Sequence, residues 1–189
     1  MPEASEGRPA PRRRTGRRRS RPAGESLRII FLDLDGTLTD GVITFDVRGD
    51  QRHFSIRDGL ALQWARDLGV LPFVISGRDS KAAELRMRDL GLEHHFGAQD
   101  KVSVAEEVMR REGATWAQCV MVGDDLPDVP LLRRVGWPVA VPDAVPQVKA
   151  VARMVTRARA GHGAVREVVE RVLRHNGLWE RVLERYEAR

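Results

Sequence analysis

The sequence predicts an α/β fold built on a mostly parallel sheet. Short, wholly apolar runs alternate with stretches of helical periodicity along the chain, the pattern of strands buried on both faces between covering helices. Three of those runs end in polar clusters. Asp33-Leu34-Asp35 follows residues 29–32, Ser76-Gly77-Arg78 follows 71–75, and Gly123-Asp124-Asp125 follows 119–122. Open parallel sheets bind their ligands outside the carboxyl ends of the strands, so three separate elements are expected to converge on one crevice. A length of 189 residues suits one domain with a sizeable core.

Charge divides the chain in two. The formal net charge is +5, and residues 1–26 carry all of it, with eight arginines against three glutamates. That stretch is rich in Pro, Gly, Arg and Ser and lacks apolar periodicity, so it is expected to be a disordered tail ahead of a single domain at 27–189. No aromatic residue is interleaved with its arginines, which favours a solvated extension over a nucleic-acid arm. The single cysteine, Cys119, excludes an internal disulfide framework. No apolar run approaches the ~20 residues of a membrane span, and no secretory core follows the arginines. A soluble, cytoplasmic protein without membrane partners is expected.

Residues 29–41, IIFLDLDGTLTDG, organise the rest. In a strand, residues i and i+2 share a side, so Asp33 and Asp35 can both face the crevice. Two unpaired carboxylates there would repel and resist desolvation, which a divalent cation relieves. An oxygen-only set suits Mg2+, which takes one or two carboxylates plus phosphate oxygens and waters. Taken alone, Asp35-Gly36-Thr37 would equally serve as turn chemistry.

The elements follow in order. Residues 42–47 and 51–56 flank a Gly-containing turn and read as a hairpin, placed as a flap above the acids. Arg57 then offers a planar fork to an anion, and Asp58 is expected to cap the helix that starts there. A helix over 60–68 stops at Gly69, and a buried strand spans 71–75. Arg78 and Arg86 lie near one face of a helix over 79–90. His94 and His95 fall in a short strand, where neighbours point to opposite faces, so they are read as structural. Lys101 opens a helix over 102–111 against the sign of the helix dipole. Cys119 is placed mid-strand and reads as a core residue. After Asp124, Asp125 and Asp128 are placed to support or cap, and Pro127 suits a first helical turn. Strands at 139–141 and 154–156 surround a short helix at 145–151. Val165, Val168, Val169, Val172 and Leu173 mark an amphipathic helix after Gly161-His162-Gly163. A last helix over 178–186 carries apolar residues that need a partner surface.

DLDGTLTDG resembles the first motif of the haloacid dehalogenase (HAD) superfamily. Ser76-Gly77, Lys101 and GDDLPD stand in the places of its second, third and fourth motifs. SIRDG at 55–59 and GHGAVRE at 161–167 are similar to segments of its small branch of 3-deoxy-D-manno-octulosonate 8-phosphate phosphatases, and the resemblance runs from about residue 28 to about residue 179. It implies a Rossmann-like fold with a β-hairpin flap in place of a cap domain, a homotetramer, and Mg2+-dependent hydrolysis in lipopolysaccharide precursor synthesis. It also implies roles: Asp33 as nucleophile, Asp35 as acid and base, and Asp33, Asp35 (through its backbone carbonyl) and Asp124 as metal ligands. Phosphate and substrate contacts are implied for Asp35, Ser55, Ile56, Arg57, Asp58, Gly59, Ser76, Gly77, Arg78, Arg86 and Lys101. Two positions depart from the pattern: Gln63 stands where an arginine is common, and His162 where an arginine or lysine is common. A nine-carbon sugar-acid phosphate is the alternative substrate. A non-catalytic scaffold with a nucleic-acid-binding tail is the alternative of another class.

Overall fold

The computed structural model describes residues 26–47 and 49–188, and the arginine-rich tail, apart from Ser26, lies outside them. The described residues open with β1 (Ile29–Leu32), whose four side chains are all buried, followed by a hairpin of β2 (Thr44–Asp46) and β3 (Gly49–Gln51). Next come α1 (Ile56–Asp67), β4 (Leu71–Ile75), α2 (Lys81–Leu90) and β5 (Glu93–His95). Then α3 (Lys101–Glu112), β6 (Cys119–Gly123), the short α4 (Val129–Leu132), β7 (Trp137–Ala140), α5 (Pro146–Val151) and β8 (Met154–Val155) alternate. Two helices, α6 (Ala164–His175) and α7 (Trp179–Arg185), follow them.

Six strands form one sheet in the order β5-β4-β1-β6-β7-β8, and every neighbouring pair is parallel. The chain therefore winds outward from β1 through β4 to β5, returns to the other side of β1, and winds outward again through β6, β7 and β8. The order reverses between β1 and β6, and a crevice opens at such a switch point. The central strands IIFL and CVMVG are buried along their whole length because helices cover both faces.

The α/β architecture agrees with the sequence reading, and the differences have local causes. Helix α1 begins earlier than periodicity suggested because Ser55, and not Asp58, is its cap: Ser55 Oγ accepts from the Asp58 amide at 3.3 Å. Asp58 instead sends its carboxylate to α6, where Oδ2 accepts from the Gly163 amide (3.1 Å) and Oδ1 from the Arg166 amide (2.7 Å). It thus supplies the cap that Gly163, having no side chain, cannot. The hairpin is also tighter than expected, pairing Thr44 with Gln51 and Asp46 with Gly49. Beyond Gln51 the chain turns inward and returns only as an isolated bridge between Phe54 and Thr39.

Helix α7 finds its partner surface on α1 and α6. Trp64 Nε1 donates to Tyr186 Oη at 3.1 Å, Trp179 meets the Trp64 ring edge-on at 5.9 Å, and the Arg166 guanidinium lies 4.4 Å from the Trp64 ring centre. No helix among the described residues is long and apolar enough to cross a membrane.

Candidate active site

The switch point brings the first and fourth motifs together. Leu32 of β1 pairs with Val122 of β6, and the Asp33 amide extends the ladder by donating to Val122 O at 3.0 Å. Asp33 and Asp124 therefore leave neighbouring strand ends side by side. An irregular turn, Leu34–Leu38, follows Asp33, with Asp35 extended and Gly36 at φ +89°. That angle favours glycine, and a Cβ on Gly36 would run into the Asp124 carboxylate. Thr37 Oγ1 donates to Asp124 Oδ1 at 3.4 Å from the same turn.

One lysine faces this acidic group. Lys101, 7% exposed, donates to Asp33 Oδ1 at 2.5 Å and to Asp128 Oδ1 at 2.7 Å. Asp128 uses its other oxygen to accept from the Asp124 amide (2.9 Å) and the Asp125 amide (3.3 Å), which fixes the turn after β6. The two carboxylates hold Lys101 at a helix start that the helix dipole disfavours.

Carboxylate oxygens of Asp33, Asp124 and Asp128 lie within 4.8 Å of one another. One ammonium does not balance three acids. Burial, reinforced by Asp128, raises the Asp33 carboxyl well above its usual range, although Lys101 pulls the other way. Burial and then Asp128 push Asp124 up to about 6. Lys101's own burial works against its charge, but Asp33 and Asp128 more than offset it, so its ammonium is held. An all-oxygen cluster short of positive charge fits a hard divalent cation such as Mg2+.

A cavity of about 400 Å³ opens over this cluster and is lined by Asp33, Asp35, Ser76, Gly77, Arg78 and Lys101, together with Asp124 and the turn that follows it. Ser76 is buried at the end of β4, where its hydroxyl donates to Arg78 O and accepts from the Arg78 amide, both at 3.1 Å. Arg78 stands exposed at the rim.

A family profile described as haloacid dehalogenase-like hydrolase matches residues 97–168. The 3-deoxy-D-manno-octulosonate 8-phosphate phosphatase of Haemophilus influenzae is 34% identical over 155 residues, covering 81% of this chain and 86% of that protein. The corresponding phosphatase of Escherichia coli K12 is 36% identical and covers 81% of this chain and 82% of its own. The chain belongs to the haloacid dehalogenase-like hydrolases, in the branch of these phosphatases. Among solved structures, the Moraxella catarrhalis 3-deoxy-D-manno-octulosonate 8-phosphate phosphatase, crystallised with magnesium ion, phosphate ion and KDO, superposes with a TM-score of 0.82 at 30% identity, covering 86% of this chain and 95% of that one. The cobalt-bound Haemophilus influenzae phosphatase gives 0.78 at 33% identity, covering 82% and 92%.

Within this hydrolase most of the residues singled out from sequence fall into two groups, and Asp58, Gly59 and Arg86 into neither. Asp33, Asp35, Ser76, Gly77, Arg78, Lys101 and Asp124 line the crevice. Ser55, Ile56 and Arg57 line a second cavity of about 430 Å³, shared with Asp40, His53, Gly161 and His162. There the GHG loop lies against the chain after the first motif, so closely that a Cβ on Gly161 would meet the Asp40 amide. Asp58 and Gly59 are buried behind that face, Asp58 tying it to α6. Arg86 lines neither cavity. Its guanidinium packs over Gly59 and pairs with Asp89 at 2.5 Å.

The structure adds three residues that sequence reasoning missed: Asp50 and Arg52 of the flap, and Ser80 at the start of α2. Arg52 Nε donates to Asp35 Oδ1 at 2.6 Å and its Nη2 to Asp35 Oδ2 at 3.1 Å. Nothing in the sequence around Arg52 distinguishes it from a solvated flap arginine, because its burial depends on the inward turn after β3.

Proposed function

We propose that this hydrolase is a Mg2+-dependent phosphatase that converts 3-deoxy-D-manno-octulosonate 8-phosphate to the free sugar acid and phosphate, in lipopolysaccharide precursor synthesis. The observation that carries the reading is the acid cluster at the β1/β6 switch point, under-neutralised by Lys101 and opening into the cavity. The two curated relatives, matched over more than four-fifths of their length, supply the substrate class.

Asp33 attacks phosphorus and forms an aspartyl-phosphate as the P–O bond to the sugar breaks. Asp35 gives its proton to the leaving sugar oxygen, then takes one from the water that hydrolyses the intermediate. Lys101 holds the attacking carboxylate and neutralises phosphoryl oxygens, and Ser76 and the Gly77 amide receive the remaining oxygens. Mg2+ would be held by Asp33, the Asp35 backbone carbonyl and Asp124, with Asp128 beside them, and would offset charge on the phosphoryl group. The intact acid cluster speaks against a scaffold without catalysis.

A homotetramer in the cytoplasm completes the reading. Val42, Phe45 and Val47 stand 59%, 68% and 103% exposed on and beside the flap, apolar surface that subunit contacts would cover. With 55–59 and the GHG loop on a face apart from the crevice, each active site would draw on a neighbouring chain for sugar-acid contacts.

Phosphate release from a panel of sugar-acid phosphates, with Mg2+ and with chelator, tests the activity. Selective, Mg2+-dependent turnover of the eight-carbon substrate is expected, whereas preference for a nine-carbon acid overturns the substrate and keeps the chemistry. Light scattering tests the assembly, and a monomer that turns over fully removes the shared site.

A further inference from the structure

The flap carries a buried cation aimed at a catalytic carboxylate. The Arg52 side chain is 1% exposed, although it comes from a hairpin whose strands are otherwise mostly exposed. Two of its nitrogens engage both oxygens of Asp35. The third, Nη1, donates to Ser80 Oγ at 2.6 Å and also meets Asp50. Ser80 Oγ in turn donates to Asp50 Oδ2 at 2.6 Å and accepts from the Ala83 amide at 3.1 Å, capping α2. Every hydrogen-bonding position of that hydroxyl is used.

We propose that Arg52 is a positioning residue for Asp35, fixing the carboxylate that exchanges protons with the leaving oxygen and the water. The backbone of Asp35 is already set by the Gly36 turn, which leaves only side-chain rotation to be restrained. A guanidinium is a planar fork that meets two carboxylate oxygens in one orientation. The shorter contact, 2.6 Å, is to Oδ1, and Oδ2, on the longer 3.1 Å contact, keeps a second lone pair for proton exchange. A latch that merely closed the flap would need no more than Ser80 and Asp50. Arg52 commits two further donors to the carboxylate that the acid–base step uses. The network also joins three parts of the site: the flap, the turn after the first strand, and the helix that follows Ser76-Gly77-Arg78. Flap closure and a correctly placed acid are thereby one event.

This inference rests on Asp35 being the acid and base, and the experiment separates the two ideas. Single-turnover release of the leaving group is measured for the sugar phosphate and for p-nitrophenyl phosphate, in wild type, Arg52→Ala, Arg52→Lys and Asp35→Asn. An alkoxide needs a proton to depart and nitrophenolate does not. Arg52→Ala is expected to slow the sugar phosphate about 100-fold, the scale of a misplaced catalytic group, and p-nitrophenyl phosphate only a few-fold. Arg52→Lys should fall between, because an ammonium cannot hold both oxygens, and added guanidinium should restore part of the Arg52→Ala rate. Equal losses on both substrates, or a change confined to KM, overturn the proposal and reduce Arg52 to a flap latch. If Asp35→Asn itself shows no dependence on the leaving group, the role of Asp35 fails first. Should Arg52→Ala not fold, Arg52→Lys and Arg52→Gln carry the same comparison.

Discussion

Asp33 and Asp35 stand two residues apart, line one cavity, and end in opposite electrostatic surroundings. Asp33 is one of three acids sharing Lys101, and burial raises its carboxyl. Asp35 has a guanidinium on both oxygens, shared onward with Ser80 and Asp50. The difference shows how a fold gives identical side chains distinct surroundings, as the roles proposed for them require. The first acid is left short of positive charge, which suits a cation and an electrophilic phosphoryl group. The second is compensated by protein alone and held in one orientation, which fixes where a proton would be exchanged.

The sharpest way to break that contrast is to remove each charge without changing its shape. Asp33→Asn removes the proposed nucleophile and is expected to cost roughly 10⁴-fold or more in turnover. Asp35→Asn should cost about 10²- to 10⁴-fold, the range of general acid–base catalysis. Asp35→Asn parts from Asp124→Ala in calorimetric Mg2+ titrations. Asp35→Asn keeps its affinity within a few-fold because its side chain lies outside the cluster, whereas Asp124→Ala loses most of it. An Asp35→Asn protein that no longer binds Mg2+ would erase the distinction.

Lys101→Met sharpens the same contrast from the cation's side. Loss of one donor to the transferring group is expected to reduce turnover about 10²- to 10³-fold. It also leaves Asp33 and Asp128 buried without their counter-charge, which costs about 3–5 kcal/mol when one partner of a buried pair is removed. Thermal melts should show that loss in chelator and recover much of it in Mg2+, since a bound cation replaces the missing charge. Equal destabilisation in both conditions would mean that the cluster does not hold the metal.

The sheet was legible in sequence because wholly apolar runs such as 29–32 and 71–75 have few alternatives to a buried parallel strand. Convergence of Asp33, Ser76 and Asp124 was legible for the same reason, since each ends such a run. The partners of those residues were not. Period-two reasoning puts Asp33 and Asp35 on one side, and both do line the cavity, but Asp35 lies beyond β1 in a turn, and its partner arrives from the flap. Asp58 teaches the same lesson. Its place three residues after Ser55 reads as local capping, while its carboxylate serves a helix that starts more than a hundred residues later. Asp58→Ala is therefore expected to cost about 1–3 kcal/mol, the penalty of stranding buried donors, read from urea unfolding. A loss confined to α1, with α6 protected as before in hydrogen exchange, would contradict that tie.

Strand β6 offers the mildest version of the contrast within a few residues. Burial drives titration at both of its ends: it pushes the Cys119 thiol up to about 12 and, with Asp128, Asp124 up to about 6. At Asp124 a cation can reverse the effect. At Cys119 burial prevails over the opposing pull of the Arg28 charge, and the wholly buried thiol donates to Thr115 O at 3.3 Å. A thiol held at about 12 has roughly 10³-fold less thiolate near neutrality than an ordinary one. Labelling of the folded protein with a thiol reagent is accordingly expected to be slower by at least that factor, and to become fast on unfolding. Rapid labelling of the native state would mean that the amino end of β6 opens readily, and that the rigid sheet positioning Asp33 and Asp124 is looser than its packing implies.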